Sequence, residues 1–251
     1  MMMSDMQRLT LEGMKFNFNT NDPYSKNWFY PRYNNGALHE PVVSRAFLSL
    51  GLRGKVFLDV GAHIGYFAVL AAACGAHAFA IEMQPDLIPI IKRNVSVNDN
   101  LRVDVINAAV GDKNGLLPVP KGIVGATGAV HLHAHENSVY VPSLRLDDAF
   151  ASIPGVAAIK IDVEGYEGQV LTGAKEIIAR DRPILFVELH ESSASYGFRQ
   201  SDVVRMIRAH GYEAFLIKDH RSVKSDEETP IADFLSFPEN TMIVCRPITV
   251  P

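Results

Sequence analysis

Apolar positions along the chain keep either the two-residue period of strands or the spacing of helices, and the switches between them outline an alternating β/α order. Met14, Phe16 and Phe18 alternate with polar residues, which predicts a short half-buried strand. Val42 to Leu50 has helical spacing. Val56, Phe57, Leu58 and Val60 form a continuous apolar run, as expected of a central parallel strand covered on both faces. A second such run, Phe79-Ala-Ile81, ends at Glu82, and Pro85 and Asp86 then open a helix carrying Leu87, Ile90, Ile91 and Val95. Asn94, Asn98 and Asn100 cluster at its end, before a third strand from Leu101 to Ile106. Ala157 to Ile161 reads as a fourth strand, Gln169 to Arg180 as a helix and Pro183 to His190 as a fifth strand. Ser201 is placed to cap an amphipathic helix through Arg208, and Gly211 turns into a strand from Tyr212 to Ile217. A polar loop, Lys218 to Asn240, precedes a last strand from Thr241 to Cys245.

This order predicts an α/β fold with a doubly wound sheet, mostly parallel, whose last strand runs antiparallel. Two segments depart from the alternation. Residues 1–41 hold the first strand and an aromatic, turn-rich stretch with Tyr24, Trp28, Phe29, Tyr30 and Tyr33, read either as a strap over the core edge or as a lid. From Gly111 to Asp147 the helical pattern stops, and short alternating runs between glycines suggest inserted hairpins. His131, His133 and His135 would share one strand face there, as a solvated edge or a metal site.

At 251 residues and 47% hydrophobic, the chain can bury one substantial core, so a single domain over residues 1–251 is expected. A formal charge of -4 argues against a broad phosphate-binding face, which makes nucleic acid an unfavoured partner. Cys74 and Cys245 have no metal-type or disulfide spacing, and no secretion signal is visible, so a cytoplasmic protein is expected. Ile64 to Ile81 carries no formally charged residue, but Gly75 and His77 divide it into a helix and a strand rather than a membrane span.

The chemistry gathers at the strand ends. After Asp59, Gly61 allows a sharp turn and Gly65 permits close packing where a helix begins, as in nucleotide-binding turns of open α/β sheets. A dinucleotide fingerprint requires a further glycine at the position of His63, so that backbone can approach a pyrophosphate. Glu82, at the tip of the second strand, is placed to accept hydrogen bonds from both hydroxyls of a ribose. An adenosine-like ligand without a pyrophosphate fits both features, and S-adenosylmethionine is such a ligand. Asn107, at the end of the third strand, is placed to read an adenine edge.

Four segments in order, Phe57-Leu-Asp-Val-Gly-Ala-His-Ile-Gly-Tyr66, Asn107-Ala-Ala-Val-Gly-Asp112, Ile159-Lys-Ile-Asp-Val-Glu-Gly-Tyr-Glu167 and Val187-Glu-Leu-His190, resemble the FkbM-type S-adenosylmethionine-dependent methyltransferases. The resemblance spans roughly Glu40 to Ile217 and implies the class I methyltransferase, Rossmann-like sheet. It also implies methylation of hydroxyl groups on natural products, sugars or other small molecules, with S-adenosylhomocysteine as product. Two positions differ from the family pattern: His63 stands where asparagine is usual, and Met83-Gln84-Pro85 follows Glu82 where proline commonly comes directly.

The expected cofactor-binding set is therefore Asp59, Gly61, His63, Gly65, Glu82, Asn107 and Asp162. The expected catalytic set is His190, Asp162 and Glu188, with His190 as base because its ordinary pKa lies near neutrality. Asp162, Glu164, Glu188 and His190 form an oxygen-rich group that could instead hold a divalent cation, a reading placed second to metal-independent base catalysis. Two other functions use a similar sheet: a nicotinamide-dependent oxidoreductase, and a binding module that keeps the cofactor pocket without turnover.

Overall fold

A computed structural model describes residues 6–33, 36–122, 138–218, 220–221, 228–231, 237 and 240–248. Its N-terminal hairpin pairs β1 (Met6–Leu11) with β2 (Met14–Asn19). The first of these strands went unread in the sequence. Both residues of the connecting loop, Glu12 and Gly13, have positive φ (46° and 86°), as a type I′ hairpin turn requires.

The central sheet contains β3 (Val56–Val60), β4 (His77–Glu82), β5 (Arg102–Asn107), β9 (Val156–Ile161), β10 (Ile184–Leu189), β11 (Tyr212–Ile217), β12 (Glu228–Pro230) and β13 (Thr241–Pro247). Between β5 and β9 lie β6 (Ala109–Val110), β7 (Gly115–Pro120) and β8 (Ser138–Leu144), which make a small separate sheet within the region read as inserted hairpins. The spatial order of the large sheet is β12-β11-β13-β10-β9-β3-β4-β5. Strands β3, β4, β5, β9 and β10 pair in parallel, whereas β13 runs antiparallel to both β10 and β11. This is the class I methyltransferase arrangement. The direction of winding reverses between β3 and β9, and ligands in open α/β sheets bind beyond the strand ends at such a switch.

Alternate side chains of the strands supply two cores. Phe57, Phe186 and Val244 face the helices Pro41–Ser49 and Tyr66–Ala73, while Leu58, Ile159, Ile161 and Val187 face the helices that follow β9 and β10. The N-terminal hairpin closes the first core with Phe16 and Phe18, and Phe18 stacks on Tyr66 with centroids 5.5 Å apart. Asparagines on the helix Ile88–Ser96 and just after it satisfy the exposed edge of β2: Asn19 N–H donates to Asn94 Oδ1 at 2.9 Å, and Asn17 N–H donates to Asn98 Oδ1 at 2.7 Å. Asn94 Nδ2 also donates to the carbonyl of Ile64 at 2.8 Å, so the same side chain fixes the end of the glycine turn. No helix of the described residues is long and apolar enough to cross a membrane, and Ile64 to Ile81 divides between the helix Tyr66–Ala73 and β4.

Two sequence expectations need correction. The helix anticipated from Gln169 to Arg180 is two helices, Glu167–Thr172 and Lys175–Asp181. At the break, a Cβ on Gly173 would lie 2.0 Å from the carbonyl oxygen of Gly111. Buried Asp147 then caps the second helix, its Oδ1 accepting the N–H groups of Glu176 and Ile177 at 3.0 and 3.1 Å. The helix expected to be capped by Ser201 begins at Gln200, with Asp202 Oδ2 accepting the Arg199 N–H at 2.8 Å.

The break at Gly173 gives a direct test of packing against propensity. Helix propensity alone makes Gly173→Ala stabilising by about 1 kcal/mol, whereas the contact with Gly111 makes it destabilising by about 1 to 3 kcal/mol through overpacking. Urea unfolding of the variant should show the loss; a midpoint at or above wild type would mean that the two segments are free to separate.

Candidate active site

The chain leaves β3 through a turn that has no room for side chains at two positions. Gly61 has φ of 82°, and a Cβ there would lie 1.9 Å from the carbonyl oxygen of Asp162, so the ends of β3 and β9 approach backbone to backbone. Gly65, also at 82°, packs against Ile91, whose Cγ2 would be 2.9 Å from an added Cβ. Asp59 is buried beneath this turn and accepts the Ala68 N–H at 2.9 Å through Oδ2, which ties the strand to the first turn of the following helix.

His63 occupies the left-handed region (φ 56°), and its N–H donates to Glu82 Oε2 at 2.8 Å. The other carboxylate oxygen of Glu82 accepts the Gln84 N–H at 2.8 Å. Burial pushes the Glu82 carboxyl up to about 7. The His63 ring meets Tyr24 and Trp28 edge-on, with centroids 4.7 and 4.8 Å away, and Nε2 is hydrogen-bonded to the Tyr24 hydroxyl. Burial lowers its pKa to about 4, so the ring is neutral. The aromatic segment therefore docks on the glycine turn, as a wide helical turn over Ser25–Phe29 and a further turn over Tyr30–Tyr33. It contributes Trp28, Arg32 and Tyr33 to the wall of a cavity of about 310 Å³. That cavity is also lined by Gly61, His63, Glu82, Ala108, Ala109, Val110, Asp162, Glu164 and Glu188. Asn107 braces the backbone instead, its Nδ2 donating to the carbonyls of Glu82 and Met83 at 2.9 and 3.1 Å and so holding the chain beyond β4.

Across the cavity, Lys160 sits one residue before the end of β9, almost completely buried. Its Nζ donates to Asp162 Oδ2 at 2.9 Å and lies 4.7 Å from the centre of the Phe67 ring. Burial opposes its charge, but the carboxylates of Asp162, Glu40, Glu188 and Asp59 outweigh burial and hold the ammonium above its usual range. Asp162, although burial works against its charge too, is held well below the usual carboxylate range by Lys160 and His190. Glu188 is buried and accepts a hydrogen bond from Arg221 Nη2 at 2.7 Å.

His190 lies behind the cavity wall, with Nδ1 2.8 Å from Glu167 Oε1 and Nε2 3.5 Å from Glu164 Oε2 and 3.8 Å from Asp162 Oδ1. Burial disfavours its charged form, yet the hydrogen bond to Glu167 and the surrounding carboxylates raise its pKa to about 9. At neutral pH the ring is an imidazolium. Glu164, in the left-handed region at φ 55°, lines the cavity, and burial pushes its carboxyl up to about 7.

The structure thus brings Asp59, Gly61, His63, Glu82, Asp162, Glu164 and Glu188 around one cavity, with His190 behind it. His131, His133 and His135 lie outside the described residues. Sequence reasoning missed Lys160, Glu40, Glu167 and Arg221. A signal for Lys160 was present: residues 158, 160 and 162 share one strand face, so a lysine inside an apolar run had to meet Asp162.

His190 gives a stability prediction with a defined sign. Its folded pKa is raised, so its contribution is complete below its unfolded value of about 6.5 and disappears as pH rises to about 9. Glu40, Asp59, Glu82 and Glu164, raised to about 7, instead reduce stability as pH rises from about 4 to 7, a window that ends below the one used for His190. Unfolding free energies measured from pH 7.5 to 9.5 should therefore fall more steeply for wild type than for His190→Gln. The excess should be on the order of 2 kcal/mol, and parallel curves would refute an imidazolium at this position.

The family model of the methyltransferase FkbM domain matches residues 59–214, more than half of the chain. A hexuronic acid methyltransferase, AglP of Haloferax volcanii, is 26% identical over 193 residues, covering 75% of this chain and 74% of that protein. Among solved structures, the methyltransferase FkbM of Methylobacillus flagellatus KT superposes with a TM-score of 0.48 at 17% identity, over 89% of this chain and 55% of that one. Precorrin-6y C5,15-methyltransferase of Geobacter metallireducens GS-15 gives a TM-score of 0.46 at 12% identity, over 82% and 88%. From the match that runs from the carboxylate of the glycine turn to β11, this chain belongs to the FkbM methyltransferase family.

Proposed function

We propose that the protein transfers a methyl group from S-adenosylmethionine to a hydroxyl oxygen of a small polar acceptor, with a sugar or sugar acid as the acceptor class. The observation that carries this reading is the pairing of Glu82 with the glycine turn. A buried carboxylate, each oxygen already holding one backbone N–H, faces the cavity with its remaining lone pairs free for two ribose hydroxyls. A cradle closed to Cβ atoms at Gly61, and a carboxyl pushed up to about 7 by burial, both fit such a ligand. Ala108, Ala109, Val110 and Leu117 offer apolar walls for an adenine, and the Gly61–His63 turn with Asp162 faces the amino-acid end. When bound, this cofactor supplies a methyl group activated by a sulfonium.

The residues of the chain would position the acceptor and accept its proton. Glu164 suits the second role, because it lines the cavity and its carboxyl is pushed up to about 7, close to the pH at which a general base works best. His190, expected from the sequence to be the base, keeps its own proton at neutral pH and acts instead as a positioning residue for Asp162 and Glu164. Arg32 and Arg221, both on the cavity wall, are placed to meet an acidic or hydroxylated acceptor. The hexuronic acid of the AglP relative's name supports a sugar acid as acceptor.

Calorimetry should show binding of S-adenosylmethionine and none of NAD; the reverse outcome would overturn the reading. Glu82→Ala should weaken cofactor affinity by about 1 to 3 kcal/mol, and unchanged affinity would remove its ribose role. With a panel of sugars and uronic acids as acceptors, kcat should rise with pH through about 7 as Glu164 loses its proton. Glu164→Gln should lower kcat by about 100-fold and abolish that limb while leaving cofactor affinity in place. If the limb persisted in the variant, another group would be the base.

A further inference from the structure

A second group of potential ligands stands on the side of the cavity away from the glycine turn. Glu40, Glu188 and His220 come from three distant parts of the chain: the residue before the helix Pro41–Ser49, the end of β10, and the loop after β11. One donor atom from each lies within 4.8 Å of the other two. All three residues are buried, with 2%, 1% and 5% of their surfaces exposed. Two of the atoms have no hydrogen-bond partner: Glu40 Oε2 and His220 Nε2. Leaving a buried carboxylate oxygen or imidazole nitrogen unsatisfied is costly, so two such atoms within one three-residue group point to a missing ligand.

The local charge has the sign of a cation site. Glu40, Asp59, Asp162 and Glu188 are four carboxylates gathered around Lys160, and the further positive charges facing Glu188 Oε1 among the described residues are Arg221, at 2.7 Å, and the His190 ring, at 4.0 Å. His39 lies 3.3 Å from Glu40 Oε1, but burial keeps that ring neutral. His220 Nε2 is 3.6 Å from Glu188 Oε1, close to the separation of about 3.3 Å between neighbouring ligands on a tetrahedral ion with bonds of about 2.0 Å. Arg221 reaches Glu188 from the solvent side with a side chain 60% exposed, so it can move as an ion enters.

From this juxtaposition we propose that Glu40, Glu188 and His220 form a binding site for a first-row divalent cation of the Mn²⁺ to Zn²⁺ range. One imidazole with two carboxylates suits those ions, whereas Mg²⁺ and Ca²⁺ prefer oxygen alone. The group anticipated from the sequence, Asp162, Glu164 and His190 with Glu188, contains no buried side-chain atom left without a hydrogen-bond partner, unlike Glu40 and His220. Because Glu40 and Glu188 also line the cavity, a bound ion would present open positions to the oxygen atoms of an acceptor. That role rests on the methyl-transfer reading, whereas cation binding does not.

The test reads the ion itself. The full chain, stripped with a chelator and desalted, is titrated with MnCl₂ while free Mn²⁺ is followed by electron paramagnetic resonance, and the bound ion is examined for nitrogen modulation in the spin echo. One equivalent should bind with a Kd below about 100 µM, show coupling to a single imidazole nitrogen, and be displaced by Zn²⁺. His220→Asn should abolish the nitrogen coupling and weaken binding at least about tenfold, Glu40→Gln should weaken it similarly, and His190→Asn should keep the nitrogen coupling. Circular dichroism establishes that each variant is folded, and His220→Asn carries the test if Glu40→Gln is not. Absence of Mn²⁺ binding to wild type, or nitrogen coupling that survives His220→Asn or vanishes in His190→Asn, would overturn the site. Failure here with intact S-adenosylmethionine binding would leave the methyl-transfer reading standing.

Discussion

One buried ammonium makes the acidic half of this site possible. Lys160 sits on a central strand with Asp162, Glu40, Glu188 and Asp59 around it, and its ammonium lies over the ring of Phe67. Taking any of these charges out of water alone costs several kcal/mol. Together they are tolerable because the same low-dielectric surroundings that penalise an isolated ion strengthen the attraction between ions of opposite sign. The compensation is uneven. Asp162, hydrogen-bonded to Lys160, stays ionised, while Glu40 and Asp59, further from the ammonium, are pushed up to about 7 by burial. The cavity therefore combines fixed negative charge with carboxyls that change protonation near neutrality.

The same strand end sets the geometry of the opposite wall. Asp162 contributes its side chain to Lys160 and its backbone carbonyl to the approach against Gly61, so the glycine turn and the charged cluster are parts of one contact between β3 and β9. From the other side, the turn is held by Glu82 through the His63 N–H, by Asn94 through the Ile64 carbonyl, and by Tyr24 through the His63 ring. The aromatic segment, which lies outside the sheet and outside residues 59–214, is thereby built into the glycine-turn side of the cavity. Histidine in place of the usual asparagine has a physical reason in this chain: its ring is an apolar and hydrogen-bonding partner for Tyr24 and Trp28.

Much of this was legible along the sequence. The runs around Leu58, Ile81, Ile159 and Val187 marked buried parallel strands because a strand covered on both faces has no polar positions to offer. The glycine spacing and the acid at Glu82 marked the turn because backbone that must take positive φ or approach other backbone excludes side chains. Periodicity could not see Gly173, where helical spacing continues through a break that a contact with Gly111 imposes. Nor could it see β1, whose alternation is short and lies near the N-terminus.

The sequence by itself determined the alternating strands and helices of a doubly wound sheet and which residue types would stand at the strand ends, since these follow from local periods and from connections that bring successive strands side by side. Only the tertiary structure decided how those residues are charged and which of them face the cavity. His190 reads as a base in isolation and becomes an imidazolium once Glu167, 23 residues away, is folded against it. Glu40, Glu188 and His220 are unrelated in sequence and adjacent in space. Protonation and ligation depend on distance and burial, and both are properties of the folded chain that no spacing along it encodes.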